Sequence, residues 1–223
     1  MNVAPIILDG QHVRLEPLTP AHVEPLMAAA ADGELWNTQV TIIPRPEGMS
    51  DYIQFALDGL AQGKQLPFVI VRKYWSASVP LASVGYESSA AGNAGDSTTS
   101  DQIVGSTRFY EIRPEDRAAA IGYTWLAKSA QRTRVNTESK LLLLTHAFED
   151  WHCNRVELIT DVLNEQSRTA ILRLGARQEG ILRKHLILPN GRIRDSVIFS
   201  ILDDEWPAVK ERLISRLEQN SVR

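Results

Sequence analysis

The sequence predicts a mixed layer fold of the α/β or α+β kind, and three observations carry that expectation. Apolar stretches that alternate like half-buried strands recur along the chain, among them HVRLEPL (His12 to Leu18) and RVELITDV (Arg155 to Val162). Between them run stretches whose apolar residues fall three or four apart, the spacing of a helix with one buried face. No internal repeat divides them into units, and 223 residues at 43% hydrophobic content suffice for one substantial core. A single domain spanning 1–223 is therefore expected.

Taken in order, HVRLEPL is a strand that runs into Thr19 and Pro20, an N-cap followed by proline at the first helical position, where its missing N–H is no loss. A helix is expected from Pro20 to Ala31. A second lies in SDYIQFALDGLAQ from Ser50, with Tyr52, Phe55, Ala56 and Leu60 near one face and Gly63 to end it. LPFVIVRK (Leu66 to Lys73) is a strand. The segment 75–102 is rich in serine, glycine and alanine and reads as an insertion, because apolar strands resume on both sides of it. IVGSTRFYEI and AAAIGYTWL flank RPEDR, a proline-containing connection suited to a hairpin. A helix follows from about Asn136 or Thr137, with Leu141, Leu144, Phe148 and Trp151 at helical spacing and Glu138 in the first turn, where a carboxylate complements the dipole. After RVELITDV, NEQSRTAILRLGA makes a short helix closed by Gly175. Asn190-Gly191 marks a hairpin, and DDEWPAVKERLISRLEQ a final amphipathic helix.

Bulk properties exclude several functions. A formal net charge of −3 argues against a nucleic-acid coat. The single cysteine, Cys153, leaves no internal disulfide and fits a reducing compartment. The start MNVAPIILDG lacks the charged-then-apolar order of a signal peptide, and no apolar run approaches the roughly 20 residues of a membrane span. A cytoplasmic protein that binds neither membrane nor nucleic acid is expected. His146, His152 and Cys153 stand near one helix end, but the histidine spacing does not put both rings on one face, and no metal site is expected.

The stretch AKSAQRTRVNTESK poses the functional question. It sets Arg132 and Arg134 at a helix start, which already presents free N–H groups and the positive end of a macrodipole. Further cations there are unfavourable unless an anion arrives, and a phosphate is the expected ligand. The bland alternative is two solvated surface arginines, which is what most arginines are.

The order and spacing of HVRLEPL, IGYTWLAKSAQRTRVNTESKLLLLTHAFE, RVELITDVLNEQSRTAILRLGARQEGILRKH and NGRIRDSVIFSILDDEW resemble the GNAT superfamily of acyl-CoA-dependent N-acetyltransferases, and within it the branch of the ribosomal-protein N-terminal acetyltransferases. The resemblance implies a strongly bent mixed sheet of about seven strands flanked by helices, splayed open beside Ile121 to Leu126, with acyl-CoA in the splay. It implies the pyrophosphate on the stretch from Gln131 through Arg132, Thr133, Arg134, Val135, Asn136 and Thr137. The family's loop pattern, Q/R-x-x-G-x-G/A, meets Gln131, Arg134 and Asn136 here. Both glycines are absent, so side chains would replace some of the amide contacts that glycine permits.

By the same resemblance Asn164 holds the pantetheine arm and Ser167 protonates the leaving thiolate, although these positions would serve any helix as N-cap and first-turn hydroxyl. A backbone N–H within Tyr123, Thr124 and Trp125 is the implied donor to the developing oxyanion. For a general base the candidates are His185, Glu179 and Glu111, or water in place of a dedicated base. Trp36 resembles the aromatic residues that line the acceptor pocket in this branch, with plain core as the alternative, and Arg14 and Arg108 are expected to face the acceptor cleft. The expected activity is transfer of an acetyl group from acetyl-CoA to a primary amine, on a protein N-terminus or a small molecule. The alternatives are another acyl-CoA such as succinyl-CoA, whose distal carboxylate Arg14 or Arg108 would bind, and a non-catalytic acyl-CoA-binding module. The apolar C-terminal hairpin suggests a homodimer.

Overall fold

The structure, a computed structural model, describes residues 1–74 and 100–219, so nearly all of the expected insertion at 75–102 lies outside the described residues. The strands are β1 (Leu8–Asp9), β2 (Val13–Pro17), β3 (Leu66–Arg72), β4 (Gln102–Arg113), β5 (Ala118–Leu126), β6 (Arg155–Asp161), β7 (Arg177–Ile187) and β8 (Ile193–Leu202). The helices are α1 (Val23–Ala31), α2 (Met49–Ala61), α3 (Arg134–Thr145), α4 (Glu165–Leu174) and α5 (Trp206–Gln219). The strands form one sheet in the order β1-β2-β3-β4-β5-β6-β8-β7. The count is eight rather than about seven because β1, two residues long, is too short to leave a periodic signal. β3 and β4 pair with Arg72 opposite Gln102. The insertion therefore joins neighbouring strands, and its expected last residue, Gln102, belongs to β4.

Every pairing is antiparallel except that of β5 with β6, which is parallel and covers only residues 118–120 against 155–157. Beyond it, β5 continues along β4 to Leu126 and β6 continues along β8 to Asp161. The sheet thus opens between residues 121–126 and 158–161, and this splay is the cleft of the molecule. Beside it, β5 bulges: Ser106 pairs with Trp125 and Arg108 with Gly122, so Thr107 alone opposes Tyr123 and Thr124, and Tyr123 takes a positive φ of 50°. A bulge leaves the backbone groups of its extra residue outside the ladder. At Gly105 the two strands come so close that a Cβ would stand 2.1 Å from the Trp125 carbonyl oxygen, so only glycine fits.

α1 and α2 pack against β3 and β4 on one face; α3 covers the other with α5 beside it. Under α3, the Phe109 ring lies 4.7 Å from that of Trp151, and Phe148 stacks on Trp206 at 5.4 Å. α2 buries Met49, Ile53 and Ala56. Phe55, expected on its core face, is instead 54% exposed, because it turns toward Tyr123 across the cleft wall. α3 starts at Arg134, two or three residues earlier than expected: Thr133 caps it, Oγ1 accepting from the Val135 N–H at 3.3 Å. Glu138 consequently falls in the second turn. Its buried carboxylate accepts the N–H groups of Gln11 (2.6 Å) and His12 (2.9 Å) and ties the N-terminal segment to α3, rather than complementing the dipole. α4 is capped by Asn164, whose Oδ1 accepts from Ser167 N–H at 2.9 Å, and closed by Gly175 at φ 107°. β7 and β8 form the expected hairpin through Asn190 and Gly191. Among the described residues no helix is long and apolar enough to cross a membrane.

Candidate active site

At the end of the sheet where β5 runs toward α3, a cavity of about 410 Å³ is lined by His12, Arg72, Lys73, Arg132, Thr133, Arg134 and Val135. β2 starts here and β3 ends here, so strands remote in sequence bring His12, Arg72 and Lys73 to the start of α3. Arg134 Nη1 lies 3.1 Å from His12 Nε2, Lys73 pairs with Asp9 at 2.6 Å and Arg72 donates to Gln102, and Arg132 is exposed at a positive φ of 60°. Thr133 Oγ1 takes one of the first-turn N–H groups, and the others point out of the helix toward this cluster. Four cations around open backbone donors make a site for a polyanion. Gln131 is turned away, its amide donating to the Leu126 carbonyl at 3.0 Å. Asn136 and Thr137 are half-buried in the first turn.

Along the cleft, Tyr52 secures the bulge. Its hydroxyl accepts from Trp125 Nε1 at 3.2 Å and donates to the Tyr123 carbonyl at 3.5 Å. Thr124 faces α3, where its Oγ1 lies 2.8 Å from Thr107 Oγ1 and accepts from Lys140 Nζ at 2.7 Å. Lys140 is buried, and desolvation lowers its pKa to about 7. Across the opening, Asn164 and Ser167 stand at the start of α4, just past the end of β6. Asn164 is engaged as the helix cap through its carbonyl oxygen, and its amide group has no protein partner among the described residues.

The candidate bases separate clearly. Glu179 accepts from Arg155 (2.6 Å to Nη1) and from Ser200 Oγ (2.7 Å), and the Arg155 hydrogen bond holds its carboxyl down at about 2, far too acidic to take a proton from an amine. Glu111 sits at φ 47° with Arg113 3.8 Å away. His185 is exposed at a bulge of β7, with Nδ1 3.0 Å from Ser196 Oγ, and Ser196 pairs with Asp161 at the cleft end of β6.

Of the three expected acceptor residues, only Arg108 stands beside the bulge in the cleft wall. Arg14 is engaged by Glu16 at 2.7 Å and Asp101 at 3.0 Å on β2, near one edge of the sheet. Trp36 sits half-buried against the core in the α1–α2 connection, and Gln39 in that connection accepts from Arg192 of the β7–β8 turn at 2.9 Å, which closes one side of the cleft. Arg108 is wholly buried beside the bulge. Cys153 is 1% exposed, and burial pushes its thiol up to about 11, as in a small core residue. His12, Arg72, Lys73 and Tyr52 escaped the sequence reading, since each lies on an ordinary strand or helix far along the chain from the loop it serves.

A family profile described as Acetyltransferase (GNAT) domain matches residues 12–177. The chain belongs to the GNAT acetyltransferase family. YdaF of Bacillus subtilis (strain 168), provisionally named a ribosomal N-acetyltransferase, is 35% identical over 108 residues, which is 48% of this chain and 58% of that protein; the match thus spans less than two thirds of the curated relative. A T. thermophilus structure, provisionally an acetyltransferase, is 31% identical with a TM-score of 0.74 over 97% of this chain and 100% of that one. Mycobacterium smegmatis RimJ, solved with CoA-disulfide, shares the fold at 19% identity and a TM-score of 0.68, covering 96% of this chain and 93% of its own. GNAT acetyltransferases use acetyl-CoA as co-substrate. The residues present fit such a molecule: a cavity of four cations and free helix donors at one end of a splayed sheet, with a bulge in the wall further along.

Proposed function

We propose that this GNAT protein transfers an acetyl group from acetyl-CoA to a primary amine by direct attack in a ternary complex, with a protein N-terminus or a small amine as acceptor. The observation that carries the reading is the basic cavity at the start of α3, at the end of the sheet where β5 has parted from β6. The phosphates bind at Arg132, Arg134, Arg72 and Lys73 and on the first-turn N–H groups of α3. The pantetheine arm lies in the opening, where the free amide of Asn164 meets it. At the bulge, an N–H within Tyr123 to Trp125 donates to the carbonyl oxygen as negative charge develops there.

The amine nitrogen attacks the thioester carbon, the C–N bond forms and the C–S bond breaks. The nitrogen releases its proton to His185 or to water, because Glu179 is held too acidic to accept it. Ser167 gives its hydroxyl proton to the departing sulfur and recovers one from solvent. The reading is tested by following free thiol from acetyl-CoA against a panel of amines and peptides, with mass spectrometry of the acceptor. The expected result is amine-dependent thiol release with gain of one acetyl group. Acetyl-CoA binding without transfer to any amine would instead mark a binding module.

A further inference from the structure

We propose that the acceptor carries a carboxylate close to its reacting amine, and that Arg108 and Arg194 receive it on the α2 side of the cleft. The inference rests on the acetyl-transfer reading and adds the substrate class. Arg108 is 0% exposed, and among the described residues only its Nη1 has a partner, Gln65 Oε1 at 2.8 Å, while Nε and Nη2 are buried and unpaired. A buried guanidinium normally sits against a carboxylate. Arg108 has rings instead: its Cζ lies 4.1 Å from the centroid of Tyr123, 4.8 Å from Tyr52 and 5.9 Å from Phe55. Tyr123 and Phe55 are themselves 39% and 54% exposed, so the cation lies one ring below solvent. Movement of one phenol opens it.

Arg194, on β8, supplies the second cation. It is half-buried, its Nε is buried without a partner, and no carboxylate pairs with it among the described residues. Arg194 stands two residues from Ser196, which pairs with Asp161 at the cleft end of β6, and burial pushes the pKa of the Tyr123 phenol up while both guanidiniums draw it down. The neighbouring carboxylates are already paired: Asp161 with Arg192, Glu157 with Arg113 and Arg155, and Glu111 with Arg113. Two cations with unfilled donors therefore face one wall of the cleft, and the guanidinium fork matches a carboxylate.

The face of the sheet assigns this carboxylate to the acceptor rather than to the acyl donor. Thr107 and Thr124 point to Lys140 on the α3 face, where the phosphate cavity lies, whereas the neighbouring Arg108 points to α2 on the opposite face. The donor enters along α3, and the α2 face is reached from the side walled by α2 and the β7–β8 hairpin.

The test compares kcat/KM, with acetyl-CoA, for two matched pairs: a peptide beginning with aspartate against its asparagine counterpart, and a free amino acid against its carboxamide. At least one pair is expected to favour the carboxylate by about tenfold or more, and the pair that does so tells an acidic N-terminus from a free amino acid. Arg108→Met and Arg194→Gln should each bring that ratio close to one; Arg194 is half-exposed, so its variant keeps the test intact if Arg108→Met fails to fold. Equal rates on both members of both pairs would overturn the inference while leaving acetyl transfer standing. So would a ratio unmoved by either variant, or a preference for succinyl-CoA over acetyl-CoA that the variants abolish. Absence of transfer to every amine would overturn the underlying reading and this one with it.

Discussion

The cations of this protein gather in two places that differ in almost every respect. At the start of α3, Arg132, Arg134, Arg72 and Lys73 line an open cavity beside free helix donors. On the other face, Arg108 lies fully buried among three aromatic rings. In the open cluster water screens each charge, so crowding costs little and an arriving polyanion gains from all of them. In the buried one each unmet N–H carries a desolvation cost until a partner with matching geometry arrives. The first arrangement suits affinity for a common handle, and the second suits discrimination between acceptors. Lys140 sharpens the contrast. It too is buried without a carboxylate partner among the described residues, but burial lowers its pKa and a lysine can shed its proton, whereas an arginine cannot.

The two regions share the β4–β5 pair as their wall, and the largest effect comes from breaking it. Gly105→Val would drive a side chain into the Trp125 carbonyl and should destabilise the protein by about 3 kcal/mol or more, read from the urea unfolding midpoint, with loss of both sites together. Next is pH. The folded pKa of Lys140 is depressed to about 7 from 10.5, so between these values the unfolded chain binds the extra proton and stability rises with pH. Below about pH 7 both states are protonated and the full penalty stands. From pH 7 to 9 the contribution of Lys140 should climb by up to about 1.4 kcal/mol per unit, and the slope should flatten in Lys140→Met, measured as the difference between the two unfolding curves. The smallest is Glu138→Gln, which leaves one of the two N–H groups of Gln11 and His12 without its carboxylate oxygen. A loss of about 1–2 kcal/mol is expected, with weaker acetyl-CoA binding by calorimetry because His12 moves from the cavity; the buried Arg108 cluster should be unaffected.

The same contrast governs what the sequence could reveal. Alternation and capping residues identified seven of the strands and all five helices, because those signals are local. The arginines at α3 were legible for the same reason: a helix start and its cations stand within a few residues. The apolar periodicity points to a start at Asn136 or Thr137, whereas the Thr133 cap begins the helix at Arg134. Partners from afar left no trace. Nothing near Thr133 announces His12 or Lys73, and nothing near Glu138 announces the backbone of Gln11. Phe55 read as core because it falls close to the apolar stripe of α2, and only the position of Arg108 and Tyr123 explains why it faces outward. Arg14 and Arg108 looked alike as strand arginines, yet one meets Glu16 and Asp101 and the other meets rings.

Calorimetric titration of acetyl-CoA into the wild-type protein and into Arg134→Glu tests the central claim most directly. Glutamate at a helix start complements the dipole, so the variant should fold as stably as the wild type. The account predicts clear binding to the wild type and a loss of about tenfold or more in the variant, since one attraction has become a repulsion beside the phosphates. Equal affinity in both proteins, or no heat with either, would contradict it.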